Sequence, residues 1–126
     1  MSQHDAVRDY CQSRGYSKNV VRGGIPYLMS GWKKTVERLE AGRRQLIWDY
    51  LNDLGARHIL AEVLPLATEE ERGSVEAQLA DLDARFRNIT VPSEKCVWRE
   101  ENASRYGWVA EREWWYFRQP PKSVEA

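Results

Sequence analysis

Cysteine and histidine are scarce in this sequence of 126 residues, with only Cys11, Cys96, His4 and His58. Two distant cysteines favour neither a disulfide framework nor a zinc site, and no second histidine stands at ligand spacing. We therefore expect free thiols, no metal site and no cofactor. The formal net charge is zero, so the chain lacks the overall field that would attract a polyanion or a membrane surface.

Long apolar runs are also missing. None approaches the roughly 20 residues that a membrane-spanning helix needs, and the first ten residues have no apolar core of the kind found in signal peptides. A cytoplasmic location without a membrane partner is expected. The sequence has no nucleophile-elbow, Cys–His or phosphate-loop motif. No catalytic residue is predicted, and a non-catalytic protein is favoured, although an enzymatic role stays open.

The residues that are present have the composition of a folded domain. Hydrophobic residues make up 42% and charged residues 30%, which is typical of a globular chain. We predict one mainly α domain with a four-helix, bundle-like core over 1–90. A small aromatic-rich cap with one or two short strands follows over 91–121, and 122–126 form a frayed tail.

Apolar residues recur at three- and four-residue steps before the cap, as on one face of a helix. Gly15 is predicted to end a first helix over 4–14. Gly23-Gly24 then separates a short turn from a second helix that continues to Gly42. A third helix over about 45–64 is apolar over most of its circumference, which predicts a central position in the fold.

The strongest helix signal follows Thr68. Thr68 and the glutamate three residues later form a capping-box pattern. Apolar residues then alternate four- and three-residue steps, as in a coiled-coil seam. The residues of this seam are Val75, Leu79, Leu82, Phe86 and Ile89. Two i,i+4 ion pairs are expected on the outer surface, Asp81 with Arg85 and Asp83 with Arg87.

The last part of the chain differs in composition. Residues 91–118 hold half of the aromatic side chains, which predicts short strands at 96–98 and 114–118 and a helical turn around 100–105. If 114–117 is extended, alternate side chains face opposite sides, so one pair packs on the helices and the other is covered or exposed. Exposed tryptophans favour a protein interface or a ligand groove. The candidates for such an interface are Trp98, Trp108, Trp114, Trp115 and Tyr116.

A polar cluster on the third helix is the leading candidate for chemistry. Asp49, Asp53 and Arg57 follow at four-residue intervals along one edge of that helix. Carboxylates at this spacing can bind a metal or share a proton, and Asn52 and His58 lie beside them. The alternative is structural: Asp53 and Arg57 form an ion pair, and His58 is a hydrogen-bonded core residue. The structural alternative is favoured.

Basic residues on and after the second helix form another candidate surface, which would contact phosphates if the protein bound nucleic acid. Glu37 and Glu40 interrupt this stripe, and the whole chain is neutral. A solvated helix face is therefore favoured, and nucleic acid is not the expected partner. The stripe consists of Lys33, Lys34, Arg38, Arg43 and Arg44.

Several segments share a pattern with known proteins. They are 27–57, which includes Trp32 and 48–54 (WDYLNDL), and the shorter segments 83–86 (DARF) and 114–117 (WWYF). In this pattern the chain resembles a group of small uncharacterised bacterial proteins of unknown function. The resemblance implies a bacterial, cytoplasmic origin and implies no catalytic residue.

The absence of a catalytic motif and the surplus of aromatic side chains favour a small cytoplasmic protein that binds another protein, as an adaptor, inhibitor or immunity-type factor. A second interpretation is a small-molecule or peptide site between the aromatic cap and the third helix, which would allow an enzyme. A third is nucleic-acid binding through the basic second helix. The identity of the partner and the oligomeric state are not indicated by the sequence.

Overall fold

The computed structural model describes residues 4–125, and helices account for most of them, so the mainly α prediction is confirmed. The helices are α1 (His4–Ser13), α2 (Lys18–Glu40), α3 (Ile47–Val63), α4 (Glu69–Ile89) and α5 (Glu100–Tyr106). Two-residue strands lie between and after them: β1 (Gln45–Leu46), β2 (Val91–Pro92), β3 (Arg118–Gln119) and β4 (Val124–Glu125). Short 3₁₀ turns occur at Leu64–Leu66 and Trp114–Phe117.

A sharp bend divides α2 near its start. Gly24 has φ 58° and ψ −145°, a conformation that glycine adopts readily because it has no Cβ. The predicted break at this point is confirmed. Ser17 caps the short segment before the bend, since its hydroxyl accepts a hydrogen bond from the Val20 N–H at 3.3 Å. Pro26 lies in the first turn after the bend, where its missing N–H costs little.

The long part of α2 is the central helix of the core. It packs against α1, α3 and α4. Its fully buried Trp32 contacts Phe86 of α4, with ring centroids 4.9 Å apart, and Phe86 stacks on Tyr50 of α3 at 6.4 Å. The predicted third helix also contributes to the centre of the core. Six residues of α3 are buried, and it packs against α2, both 3₁₀ turns and β4. Cys11 and Cys96 are buried free thiols.

The predicted seam of α4 faces this core. Thr68 caps the helix by accepting a hydrogen bond from the Glu71 N–H at 3.0 Å, as the capping pattern indicated. Leu82 and Phe86 are fully buried, while Val75, Leu79 and Ile89 are half-buried. The predicted pair of Arg85 with Asp81 is present at 3.2 Å, and Arg85 also reaches Glu40 of α2 at 2.9 Å.

The strands predicted in the cap are misplaced. The segment 96–98 is a loop, and Trp114–Phe117 is a 3₁₀ turn. The antiparallel pair is β2 with β3, in which Pro92 lies opposite Arg118. In this turn the neighbouring residues Trp115 and Tyr116 are both buried, whereas neighbouring side chains of an extended strand would face opposite sides. The helical turn expected around 100–105 is present as α5.

Arg118 attaches the C-terminal segment to the end of α4. Its guanidinium donates to the Thr90 hydroxyl at 2.7 Å and to the carbonyl oxygens of Arg87 and Thr90 at 3.0 and 2.9 Å. The last carbonyls of a helix lack partners within the helix, so the guanidinium satisfies them. The hydroxyl of Tyr50 donates to the Arg118 carbonyl oxygen at 3.0 Å, which joins the same segment to α3.

The prediction that 122–126 form a frayed tail is wrong for Val124 and Glu125, which form the strand β4. Val124 lies opposite Gln45 in a parallel pairing of β4 with β1. The Gln45 N–H also donates to the Ser123 carbonyl oxygen at 3.1 Å. Residues 123–125 are held because the extended residues before α3 offer backbone hydrogen-bonding groups that a strand can use.

Leu82→Ala is expected to lower the free energy of unfolding by roughly 2–5 kcal/mol. The Leu82 side chain is 1% exposed, so its removal leaves a cavity beside α2. Chemical denaturation measures this loss. Leu66→Ala, at a leucine that is 37% exposed, is the control and should cost about 1 kcal/mol or less. Equal losses in the two variants would contradict the assignment of Leu82 to the core.

Candidate ligand-binding cavity

Arg57 of α3 is paired with Asp83 of α4, not with Asp53. Its Nε donates to Asp83 Oδ1 at 2.9 Å and its Nη2 donates to Oδ2 at 3.0 Å. The Trp32 Nε1–H also donates to Oδ1, at 3.0 Å. The two charged side chains are only 10% and 16% exposed. Two predicted ion pairs, Asp53–Arg57 and Asp83–Arg87, are therefore wrong, because Arg57 and Asp83 pair with each other instead.

The predicted polar cluster of α3 is therefore not assembled. Asp53 instead lies 3.3 Å from Arg38 of α2, and Asp49 and Asn52 are exposed. Burial raises the pKa of the Asp53 carboxyl, an effect that Arg38 opposes and Asp49 reinforces. The four-residue spacing does align these side chains along one edge, but each reaches a different neighbouring helix or the solvent.

The tryptophan-rich part of the cap, residues 106–117, which we call the aromatic segment, packs against the Arg57 guanidinium through Trp114 and Trp115. The guanidinium carbon lies 4.7 Å from the Trp115 ring centroid and 5.6 Å from that of Trp114, within the range of a cation–π interaction. Arg87, which was expected to pair with Asp83, lies 4.1 Å from the Trp114 ring. The C-terminal tryptophans therefore pack against the buried ion pair.

This packing corrects part of the predicted aromatic interface. Trp115 and Tyr116 are buried, so they are not available to a partner, and Trp98, Trp108 and Trp114 are half-buried. The prediction missed Trp48, which is 58% exposed, and Tyr106, which is 59% exposed.

The predicted basic stripe lies on the surface. All five of its residues are exposed, and Arg38 takes part in the ion pair with Asp53. The five are Lys33, Lys34, Arg38, Arg43 and Arg44. Nucleic-acid binding at this stripe stays a prediction.

A cavity of about 490 Å³ opens where the turn after α1, the C-terminal half of α3 and the aromatic segment meet. This volume is in the range of small-molecule sites. We call it the Glu62 cavity. Its wall combines aromatic rings with ionisable groups of both signs: Arg14, Tyr16, His58, Ala61, Glu62, Tyr106, Trp108, Arg112, Glu113 and Trp115. Of the five residues in the predicted polar cluster, only His58 lines it.

Glu62 is held by two phenols. The Tyr10 hydroxyl donates to Glu62 Oε2 at 2.8 Å, and the Tyr16 hydroxyl donates to Oε1. Burial and the hydrogen bond to Glu62 raise the pKa of Tyr16 to about 12, so the phenol remains a donor at neutral pH. Arg14 hydrogen-bonds Tyr16 and extends this chain of polar contacts to the cavity rim.

Glu113 forms the other acidic part of the wall. Its side chain is 8% exposed. Its Oε1 accepts a hydrogen bond from the Val109 N–H at 3.0 Å, and its Oε2 accepts one from Arg112 Nε. Arg112 also donates to the Gly107 carbonyl oxygen. The Glu113 carboxylate thus connects both ends of the loop over 107–113, and the guanidinium of Arg112 balances its charge.

His58 lies among three aromatic rings. Its ring centroid is 5.6 Å from Trp108, 5.8 Å from Trp115 and 5.3 Å from Tyr116. Its Nδ1 is buried and has no hydrogen-bond partner among the described residues. The prediction that His58 is a hydrogen-bonded core residue is therefore wrong for this nitrogen. Burial lowers the pKa of His58, and nearby Glu62 opposes this effect. The imidazole is therefore neutral at neutral pH.

The cavity can offer donors, acceptors and aromatic surface to a small ligand. Sequence reasoning missed Glu62 and Glu113, because neither belongs to a motif; the one available signal was that Glu62 stands one helical turn after His58. Within residues 4–125, no three His, Cys, Asp or Glu side chains converge in a way that could hold a metal ion. No helix in that range is long and apolar enough to span a membrane.

The chain matches no protein-family model, no curated protein and no solved structure. The resemblance to a group of small bacterial proteins stays a prediction. The arguments about function below therefore depend on the geometry of the chain itself.

Asp83→Asn is expected to lower the free energy of unfolding by about 3 kcal/mol, because it leaves the charge of Arg57 unpaired in the interior. Asp81→Asn is the matched control: it makes the same change two residues earlier on α4, at a side chain that is 64% exposed. The control should cost about 1 kcal/mol or less. Urea denaturation of both variants measures the difference, and equal stabilities would contradict a structural role for the buried pair.

The stability of the fold should decrease as the pH falls below the ordinary pKa of histidine, about 6.5. Because the pKa of His58 is lowered in the folded chain, the unfolded chain binds the proton first. Stability is lost from that pH downwards until the folded chain is protonated too. Melting curves at about pH 7.5 and about pH 5 should show a larger loss for the native chain than for His58→Gln. The same loss in both would show that other groups cause it.

Proposed function

We propose that this protein binds a small molecule in the Glu62 cavity. The observation that carries the proposal is the composition of the cavity wall, which is built from ionisable and aromatic side chains of three separate segments. Sites for small molecules are typically concave, with aromatic walls and a few placed polar groups. This corresponds to the interpretation that sequence analysis ranked second, a pocket between the aromatic cap and the third helix.

The polar groups of the cavity are positioned before any ligand arrives. Glu62 is fixed by Tyr10 and Tyr16, and Glu113 by Arg112 and a backbone N–H. Groups that are already ordered lose little conformational entropy when they bind. Networks of this kind also serve purely structural purposes, but a structural network does not require a cavity beside it.

A second candidate function is protein binding, which sequence analysis ranked first. It is favoured by an exposed apolar pair at the start of α3: Leu46 is 56% and Trp48 58% exposed. The Trp48 ring lies 6.4 Å from that of Trp98, so the patch continues onto the cap. Exposed tryptophans of this kind are frequent at the centre of protein interfaces.

Ala61→Phe tests the cavity, because it fills space at the wall without removing a polar partner. The low-molecular-weight fraction of an extract from the source cells should raise the melting temperature of the native chain. A ligand at about ten times its Kd stabilises by about 1.4 kcal/mol, or about 5 °C. Ala77→Phe, at an exposed alanine of α4, should keep this shift, and Ala61→Phe should lose it.

The high-molecular-weight fraction of the same extract addresses the second candidate. A stoichiometric protein partner that Trp48→Ala loses and Ala61→Phe keeps would favour protein binding. An unchanged shift with the small-molecule fraction in Ala61→Phe would contradict binding in the Glu62 cavity.

A further inference from the structure

The charges around the Glu62 cavity are balanced within short distances. Arg112 is paired directly with Glu113, and Arg14 is joined to Glu62 through the Tyr16 hydroxyl. His58 adds no charge at neutral pH. A charged ligand would therefore leave water for a wall in which two arginines and two glutamates balance, so the wall offsets little of the cost of desolvation. The same holds for a zwitterion, because each guanidinium of the wall is already joined to a carboxylate, Arg112 directly and Arg14 through Tyr16.

The same groups are well suited to hydroxyl groups. A carboxylate has roughly four lone-pair positions, and a guanidinium has five N–H donors. Glu62 uses one position on each oxygen for Tyr10 and Tyr16, and Arg112 uses one donor for Glu113 and one nitrogen for Gly107. The remaining positions can accept from and donate to the hydroxyls of a ligand. Hydrogen bonds to charged groups are the stronger kind.

Aromatic rings complete the wall. Tyr106, Trp108 and Trp115 line the cavity. Trp108 stacks on both Tyr106 and Tyr116, at 5.1 and 4.2 Å between ring centroids. Trp115 packs on the Arg57 guanidinium, so the ring that is most available to a ligand is that of Tyr106, which is 59% exposed. A saturated ring that carries hydroxyls has C–H groups polarised by the neighbouring oxygens. Such C–H groups pack favourably on aromatic rings, whose faces are electron-rich. The cavity volume of about 490 Å³ is large enough for one or two rings of this type.

We propose that the ligand of the Glu62 cavity is an uncharged, hydroxyl-rich ring of the size of a monosaccharide or disaccharide. This inference rests on the proposed function and deepens it by naming the class of ligand. In such a complex, Glu62 and Arg112 take the hydroxyl groups, and the aromatic side chains take the C–H surface of the ring.

Saturation-transfer NMR with the full chain tests this inference. The neutral probes are glucose, galactose, mannose, N-acetylglucosamine, maltose and cellobiose; the charged probes are glucosamine, glucuronate and tryptophan. At least one neutral sugar should receive saturation, and its charged counterparts should bind at least about tenfold more weakly. Ala61→Phe should abolish the signal and Ala77→Phe should retain it.

Glu62→Gln supplies a second variant, which replaces a charged acceptor by a neutral one of the same shape. It should weaken sugar binding by about tenfold. Glu76→Gln, at an exposed glutamate of α4, is its matched control and should bind like the native chain. Melting curves of both variants show whether they remain folded at the temperature of the experiment.

The outcomes separate this inference from the proposed function. If only charged or zwitterionic probes bind, and Ala61→Phe abolishes their binding, the ligand class is wrong but the cavity is a ligand site. The same follows if no probe binds while the small-molecule extract still stabilises the native chain and not Ala61→Phe. If neither probes nor extract respond, both proposals are overturned. A sugar that binds equally to Ala61→Phe overturns the inference as well.

Discussion

The guanidinium of Arg57 is held in the interior by the carboxylate of Asp83, which removes two charges from water at a considerable cost in desolvation. Three hydrogen bonds in good geometry offset this cost, two from Arg57 and one from the Trp32 indole. Through one carboxylate, α2, α3 and α4 therefore meet at a single point. Shifting any of these helices would leave a buried charge with fewer partners. The pair thus constrains how the three helices pack, beyond any stability that it adds.

The C-terminal segment depends on the same pair. Trp115 packs over the Arg57 guanidinium and also lines the Glu62 cavity beside His58. The cavity wall is therefore present only when the segment is docked, and docking is reinforced by the contacts of Arg118 at the end of α4. Docking of this segment also places the rings of Trp108, Trp115 and Tyr116 around His58, and the burial that results lowers the pKa of the imidazole.

Local features of the fold were readable from the sequence because each depends on neighbours within one or two helical turns. The Thr68 cap, the bend at Gly24 and the burial of Leu82 and Phe86 follow from backbone stereochemistry and the helical period. The Arg85–Asp81 pair was predicted for the same reason. These features determine which segments are helical and which faces they bury. They carry no information about which side chain of another helix lies opposite.

Only the tertiary structure decided the partners of the long polar side chains. Arg57 stands one turn after Asp53, yet it pairs with Asp83, because the facing surface of α4 offers a carboxylate in the interior while Asp53 lies at the edge near Arg38. Glu62 likewise acquires its two phenols from α1 and the turn that follows. A helix pattern specifies the direction of a side chain but not the neighbour that it meets, and the candidate site consists almost entirely of such neighbours.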